Sequence, residues 1–215
     1  MNQNKYKSRI DELVEFPSSN QMILSAVKEI LPKRDGGKLA FIISLILGIS
    51  LSLKIGIDKN TISLTLSTVQ TILNVLIGVF GCVFAVYSIL LAFLSDSYVK
   101  KLLEIDYDSN SSYLKTSTTY YESVLFLFFI SIVMTAILEL TLGVLKPNSA
   151  LTSNNILNNF LAVFFLSIYF SFVFRVLYEI KSTIYNTVVL FRTSIAFKIL
   201  AFAKKEKEDE NNDNN

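Results

Sequence analysis

Four stretches almost free of charge run through this chain, from Leu39 to Leu53, Val69 to Leu94, Val124 to Leu145 and Phe160 to Leu177. A helix needs about 20 mostly apolar residues to cross a hydrocarbon layer about 30 Å thick. The second and third stretches reach that length, and the fourth does so by recruiting Ile156 and Leu157. The first is short, and it spans if Lys54 snorkels and Ile55 to Ile57 join the helix. The pattern predicts an all-α polytopic membrane protein with four transmembrane helices.

The segments between the spans are too small for a second folded domain. Residues 1–38 form an N-terminal segment in which Met22, Ile23, Ala26, Val27, Ile30 and Leu31 recur at helical spacing after a Ser18 or Ser19 cap. Pro32 stops that helix, and Gly36 and Gly37 joint it to the spans of residues 39–178. It reads as an interfacial helix on the inner leaflet or the bundle, or as a docking helix for a soluble partner. The second loop continues the second span as a helix through Tyr98 to Ile105, breaks at Asp108 to Ser112, and leads from Leu114 into the third span.

Beyond the fourth span the apolar pattern does not stop. Ile180, Ile184, Val188, Phe191, Ile195, Ile199 and Phe202 follow with steps of 4, 4, 3, 4, 4 and 3, an eleven-residue repeat. No Gly or Pro interrupts residues 155–215. A long cytoplasmic extension of the fourth helix over residues 179–203 is therefore expected, with Ile184, Val188, Phe191, Ile195 and Ile199 as its contact surface. So apolar a helix must bury that face against a second copy, a neighbouring helix or a partner. A charged, Asn-rich disordered tail is expected over residues 204–215.

Charge orients the spans. Sixteen basic residues fall on the side of the two termini and three, Lys54, Lys59 and Lys146, on the other, with Arg175 inside a span. Positive residues stay on the cytoplasmic side, so both termini are expected there. The isoleucine-, asparagine- and lysine-rich composition suggests a bacterial protein, hence the bacterial inner membrane. A net charge of +2 is too small to argue for direct nucleic-acid binding.

Composition also narrows the chemistry. There is no His, which removes His-based triads, His-ligated zinc and imidazole switches. The single Cys82 lies in mid-span and makes no intrachain disulfide. No phosphate-binding glycine loop, cleavable signal pattern or metal-ligand spacing is present, so neither enzyme activity nor a cofactor is expected. The lipid bilayer is the certain partner, with a homo-oligomer or a cytoplasmic protein beside it.

Polar residues inside the spans are the candidate sites, because each costs free energy to insert. Topology places Lys54, Asn74 and Glu139 in one outer-leaflet layer with Gln70 above it. They are expected to form a polar clasp between helices, or a site for a cation, proton or polar ligand. Arg175 has Glu179 four residues on, so a helical ion pair and snorkelling account for it. In the second span Asn74, Gly78, Cys82, Ala85, Ser88, Ala92 and Ser95 form a seam of small residues with a mean step of 3.5. Such a seam allows close helix packing, or lines a pore in an oligomer. Gly48 and Ser52 give the first span a shorter patch of the same kind.

In general layout the chain resembles the small multi-span proteins encoded beside soluble partners in bacterial antiviral-defence and toxin–immunity operons. That resemblance implies a non-enzymatic membrane subunit that anchors or senses for a cytoplasmic partner. The competing reading is a homo-oligomeric channel or permeabilising effector.

Overall fold

The computed structural model describes residues 7, 11, 18–30, 35–58, 60–93, 99, 102, 106–108, 111–146, 149 and 154–213. Within them lie five helices: α1 (Ser19–Ile30), α2 (Asp35–Gly56), α3 (Thr61–Phe93), α4 (Tyr113–Val144) and α5 (Asn155–Asp213). A two-stranded antiparallel ribbon, β1 (Asp106–Asp108) with β2 (Ser111–Ser112), sits just before α4. Among the described residues four helices, α2 to α5, are long and apolar enough to cross a membrane. They coincide with the four apolar stretches read from the sequence.

Local signals set the helix starts. Ser18 closes a capping box at α1, its Oγ accepting from Gln21 N at 3.4 Å while Ser18 N donates to Gln21 Oε1 at 2.8 Å. Ser112 caps α4 by accepting from Lys115 N, and Asn154 Oδ1 accepts from Ile156 N at the start of α5. The expected continuation of the second span to Ile105 falls mostly outside the described residues. In α5, with neither Gly nor Pro to break it, 59 residues form one helix, about 88 Å long. It runs on through the charged stretch to Asp213.

The bundle is built from two pairs. α2 lies antiparallel along α5, α3 lies along α4, and α1 packs on α4. The two cores meet between the pairs, one around Leu76, Val83, Leu127, Phe128 and Val176, the other around Ile55, Val69, Phe170 and Val173. Lipid offers no hydrophobic drive between spans, so close backbone approach must hold them. In α2 a small or short residue recurs every fourth position: Ala40, Ser44, Gly48, Ser52 and Gly56, all of them buried. A Cβ placed on Gly48 would stand 2.8 Å from Ser171 Cα, and one on Gly56 would stand 3.2 Å from Val163 N. The ridge extends in both directions the Gly48–Ser52 patch visible in the sequence. Ser171 Oγ is buried there without a hydrogen-bond partner among the described residues, its surroundings filled by the α2 backbone.

Gly48→Ala should therefore destabilise the protein by about 1–3 kcal/mol through overpacking. Gly143→Ala, at an α4 position with nothing within 4 Å, should be near neutral. Reversible unfolding of both variants in bicelles checks the contrast, and equal effects would remove the α2–α5 close approach as the cause.

Candidate functional site

Helix registers define the depth of each side chain. Gly48 meets Ser171 and Gly56 meets Val163, eight residues apart on both helices. The same antiparallel step places Ser44 opposite Arg175, Ala40 opposite Glu179 and Lys38 opposite Lys181. On the other pair Tyr87 OH donates to Glu122 Oε1 at 3.5 Å, and Ser25 Oγ of α1 lies 3.5 Å from Ser123 Oγ. Lys38, Tyr87, Glu122 and Lys181 thus share one level on the side of the two termini, and a ring of such groups suits the terminal-side edge of a hydrocarbon layer. Lys181 Nζ lies 5.8 Å from the centroid of the Tyr178 ring, an arrangement suited to the headgroup zone.

Just inside that edge is a polar layer. Arg175 and Glu179 form a side-chain ion pair one helical turn apart, and the two residues are only 5% and 8% exposed. The sequence identified the partners; their burial depends on α2 covering them with Ala40 and Ser44, side chains small enough to admit a guanidinium. Hydroxyls continue the layer past the level of Lys181, between α4 and α5. Tyr120 OH lies 3.4 Å from Thr183 Oγ1, and Tyr121 OH lies 2.9 Å from Thr187 Oγ1. Both threonines also donate to the backbone carbonyl one turn earlier, at Glu179 and Thr183. Higher up, Tyr169 OH donates to Thr135 Oγ1 at 3.0 Å. Sequence reading missed these tyrosine–threonine pairs, because no spacing within one helix reveals a partner on another.

The expected outer-leaflet cluster is placed differently. Lys54 and Asn74 are exposed and Glu139 is half-buried. Among the described residues no hydrogen bond or ion pair joins the three. The bundle gives the reason: α2 and α4 share no extended interface, since α2 packs along α5 and α4 along α3. The Tyr87–Glu122 register, carried along the α3–α4 pair, levels Gln70 with Glu139 and Asn74 with Thr135. On the loop side a cavity of about 580 Å³ opens between the α2–α3 turn, the starts of α3 and α5 and the end of α4, with Asp58, Thr61, Asn155, Asn158 and Asn159 at its wall.

The α3 seam is wholly exposed: Asn74, Gly78, Cys82, Ala85, Ser88 and Ala92 all face away from the bundle, and Ser95 lies outside the described residues. Below the terminal-side edge, α5 keeps an exposed apolar ridge of Ile184, Val188, Ile195 and Ile199. Phe191, in the same row, is only half-exposed. It lines a cavity of about 160 Å³ with Leu90, Leu102, Leu114 and Ile195, while Phe197 packs on the Leu102–Leu114 cluster. One side of the extension is thus covered by the start of α4, and the opposite side is bare. On α1, Ala26 is buried while Ile23, Leu24 and Val27 are exposed, the distribution of a helix half set into a bundle and half into its lipid rim.

No protein-family model, no curated protein and no solved structure matches this chain.

Breaking the Arg175–Glu179 pair should be costly. Glu179→Leu leaves a buried guanidinium without its carboxylate and should lose about 3–5 kcal/mol. Arg175→Leu with Glu179→Leu should recover much of that loss. Unfolding free energies of the single and double variants check this; a double variant as unstable as the single would show that the charge pair is not the cause.

Proposed function

We propose that this protein is a non-enzymatic membrane subunit of the bacterial inner membrane that anchors, or senses for, a soluble cytoplasmic partner. In this reading both termini are cytoplasmic, in line with the sixteen-to-three distribution of basic residues. The observation that carries it is the bare face of α5 beyond the membrane edge. Ile184, Val188, Ile195, Ile199 and Phe202 are each more than two-fifths exposed, and Phe202 reaches 69%. Such a face in water is a binding surface by default, and a regular ridge suits an apolar groove or a partner helix. The layout of the chain favours a setting in antiviral defence or toxin immunity.

A second reading, a homo-oligomeric channel or permeabilising effector, draws on the exposed α3 seam and on Asn74 within it. We favour the anchor because the exposed polar side chains of the spans are few and scattered in depth, whereas the α5 ridge is continuous.

Two measurements test the proposal. Spin labels at Phe164 and Ile199 should lie about 52 Å apart if the helix leaves the membrane straight, and a clearly shorter distance would mean that it folds back onto the leaflet. Purified from native membranes, the wild-type protein should carry a stoichiometric soluble partner that Ile195→Glu with Ile199→Glu releases, while Asn60→Cys labels from the outside and Phe202→Cys does not. A lone oligomer that conducts ions would favour the channel instead.

A further inference from the structure

The α3 helix has two faces half a turn apart, and each follows a seven-residue rule. Val69, Leu76, Val83 and Leu90 recur every seventh position and are buried in the bundle. On the opposite face Asn74, Gly78, Gly81, Ala85, Ser88 and Ala92 follow steps of 4, 3, 4, 3 and 4, and every one is exposed. With Gly81 in place of Cys82, the seam is a strict a/d heptad, the pattern of a left-handed helix pair. Larger apolar side chains wall it on both sides, among them Val75, Ile77, Phe84 and Ile89, all exposed. Nothing lies within 4 Å of a Cβ built on Gly78 or Gly81. The result is a shallow slot, floored by backbone, along a membrane-spanning helix.

Two further observations say what fills it. The first is Asn74, an exposed carboxamide with no hydrogen bond among the described residues. It lies thirteen residues from Tyr87, about 20 Å along the helix, and so well inside the hydrocarbon layer, where an unsatisfied amide costs several kcal/mol. The second is internal: the other small-residue ridge of this chain, on α2, is buried along its whole length against α5. The chain thus already joins two spans by small-residue contact once, and on α3 the same device has no occupant within the protomer.

We propose that the occupant is a second copy of this chain, its α3 packed parallel against the first across a two-fold axis normal to the membrane, with the two Asn74 side chains hydrogen-bonded to each other. Copies inserted with one topology present α3 in the same direction, so the pair is parallel. A carboxamide both donates and accepts, so Asn74 complements its own symmetry mate without any charge. Close approach at Gly78 and Gly81 brings the two backbones together, and the Val75, Ile77, Phe84 and Ile89 walls close over the pair. This interface is independent of what binds the α5 ridge, and it makes the seam a dry contact, not the wall of a pore.

Disulfide formation in native membranes tests it, because the chain has a single cysteine to remove. A disulfide needs Cα atoms about 4.4–6.8 Å apart, a spacing reached only at the seam. In a Cys82→Ser background, Ala85→Cys and Ser88→Cys should give abundant oxidised dimer, and Ile77→Cys and Leu91→Cys at least severalfold less. Adding Asn74→Leu to the Ala85→Cys protein should lower dimer formation roughly threefold, the scale of one hydrogen bond between membrane helices. The substituted sites are exposed in the protomer, so their loss of fold is not a competing explanation. Equal crosslinking at all four positions, none at Ala85→Cys and Ser88→Cys, or rapid labelling of those two by a membrane-impermeant thiol reagent would overturn the interface. An unchanged yield with Asn74→Leu would overturn the Asn74 pair.

Discussion

In a bilayer the spans gain little from leaving one solvent for the other, so this structure depends on how closely two backbones can approach. The limiting contact is the α2–α5 crossing, where Gly48 brings its backbone onto Ser171 and Gly56 does the same at Val163. Side chains of any size at those positions would separate the helices and remove the dispersion contacts that hold them. Everything placed on α5 inherits that geometry. The depth of Arg175, the level of Lys181 against Lys38 and the course of the rest of α5 all follow from the α2 ridge.

The ridge also explains how a charge pair is tolerated inside a span. Arg175 and Glu179 would find water or headgroups on a lipid-facing side, yet here they lie beneath Ala40 and Ser44, mostly covered. Burial of two charges is unfavourable unless they meet each other with good geometry, and one helical turn sets that geometry in advance. The adjoining hydroxyls of Tyr120, Thr183, Tyr121 and Thr187 add hydrogen bonds whose net worth is about 0.6 kcal/mol each in membranes. Their contribution is registry. They fix α4 against α5 near the terminal-side edge, while the starts of α3 and α5 and the end of α4 open around a cavity of about 580 Å³ on the loop side.

Much of this is legible in the sequence. The four spans, the α1 helix with its Ser18 cap, the uninterrupted α5 and the Arg175–Glu179 pair are written in hydropathy, capping residues and one-turn spacing. What could not be read was which helix neighbours which. Lys54, Asn74 and Glu139 were grouped by estimated depth alone, and depth does not reveal that α2 and α4 lie apart. For the same reason the tyrosine–threonine pairs stayed invisible, since each joins residues at least 34 positions apart in sequence. The α3 seam was legible as a stripe, but its strict form needed the buried Val69–Leu76–Val83–Leu90 face to fix which side of the helix looks outward.

The placement of the two bare surfaces has a mechanical consequence. The α3 seam points directly away from the bundle, because the face opposite it is the one packed inside. The α5 ridge lies on another helix and past the level of Lys181, so a second copy on the seam and a partner on the ridge would not compete for space. They are nevertheless connected. α5 is one unbroken helix, without the Gly, Pro or irregular turn at which a helix bends sharply. A load applied at Ile195 or Ile199 therefore reaches Arg175 and Ser171 as a rigid displacement and carries α2 with it through the Gly48 contact. The α3–α4 pair meets α5 chiefly through side-chain hydroxyls and a shared apolar core, an interface that slides at lower cost than interlocked backbones. Relative motion within the bundle is expected to divide along that line, between the α2–α5 pair and the α3–α4 pair.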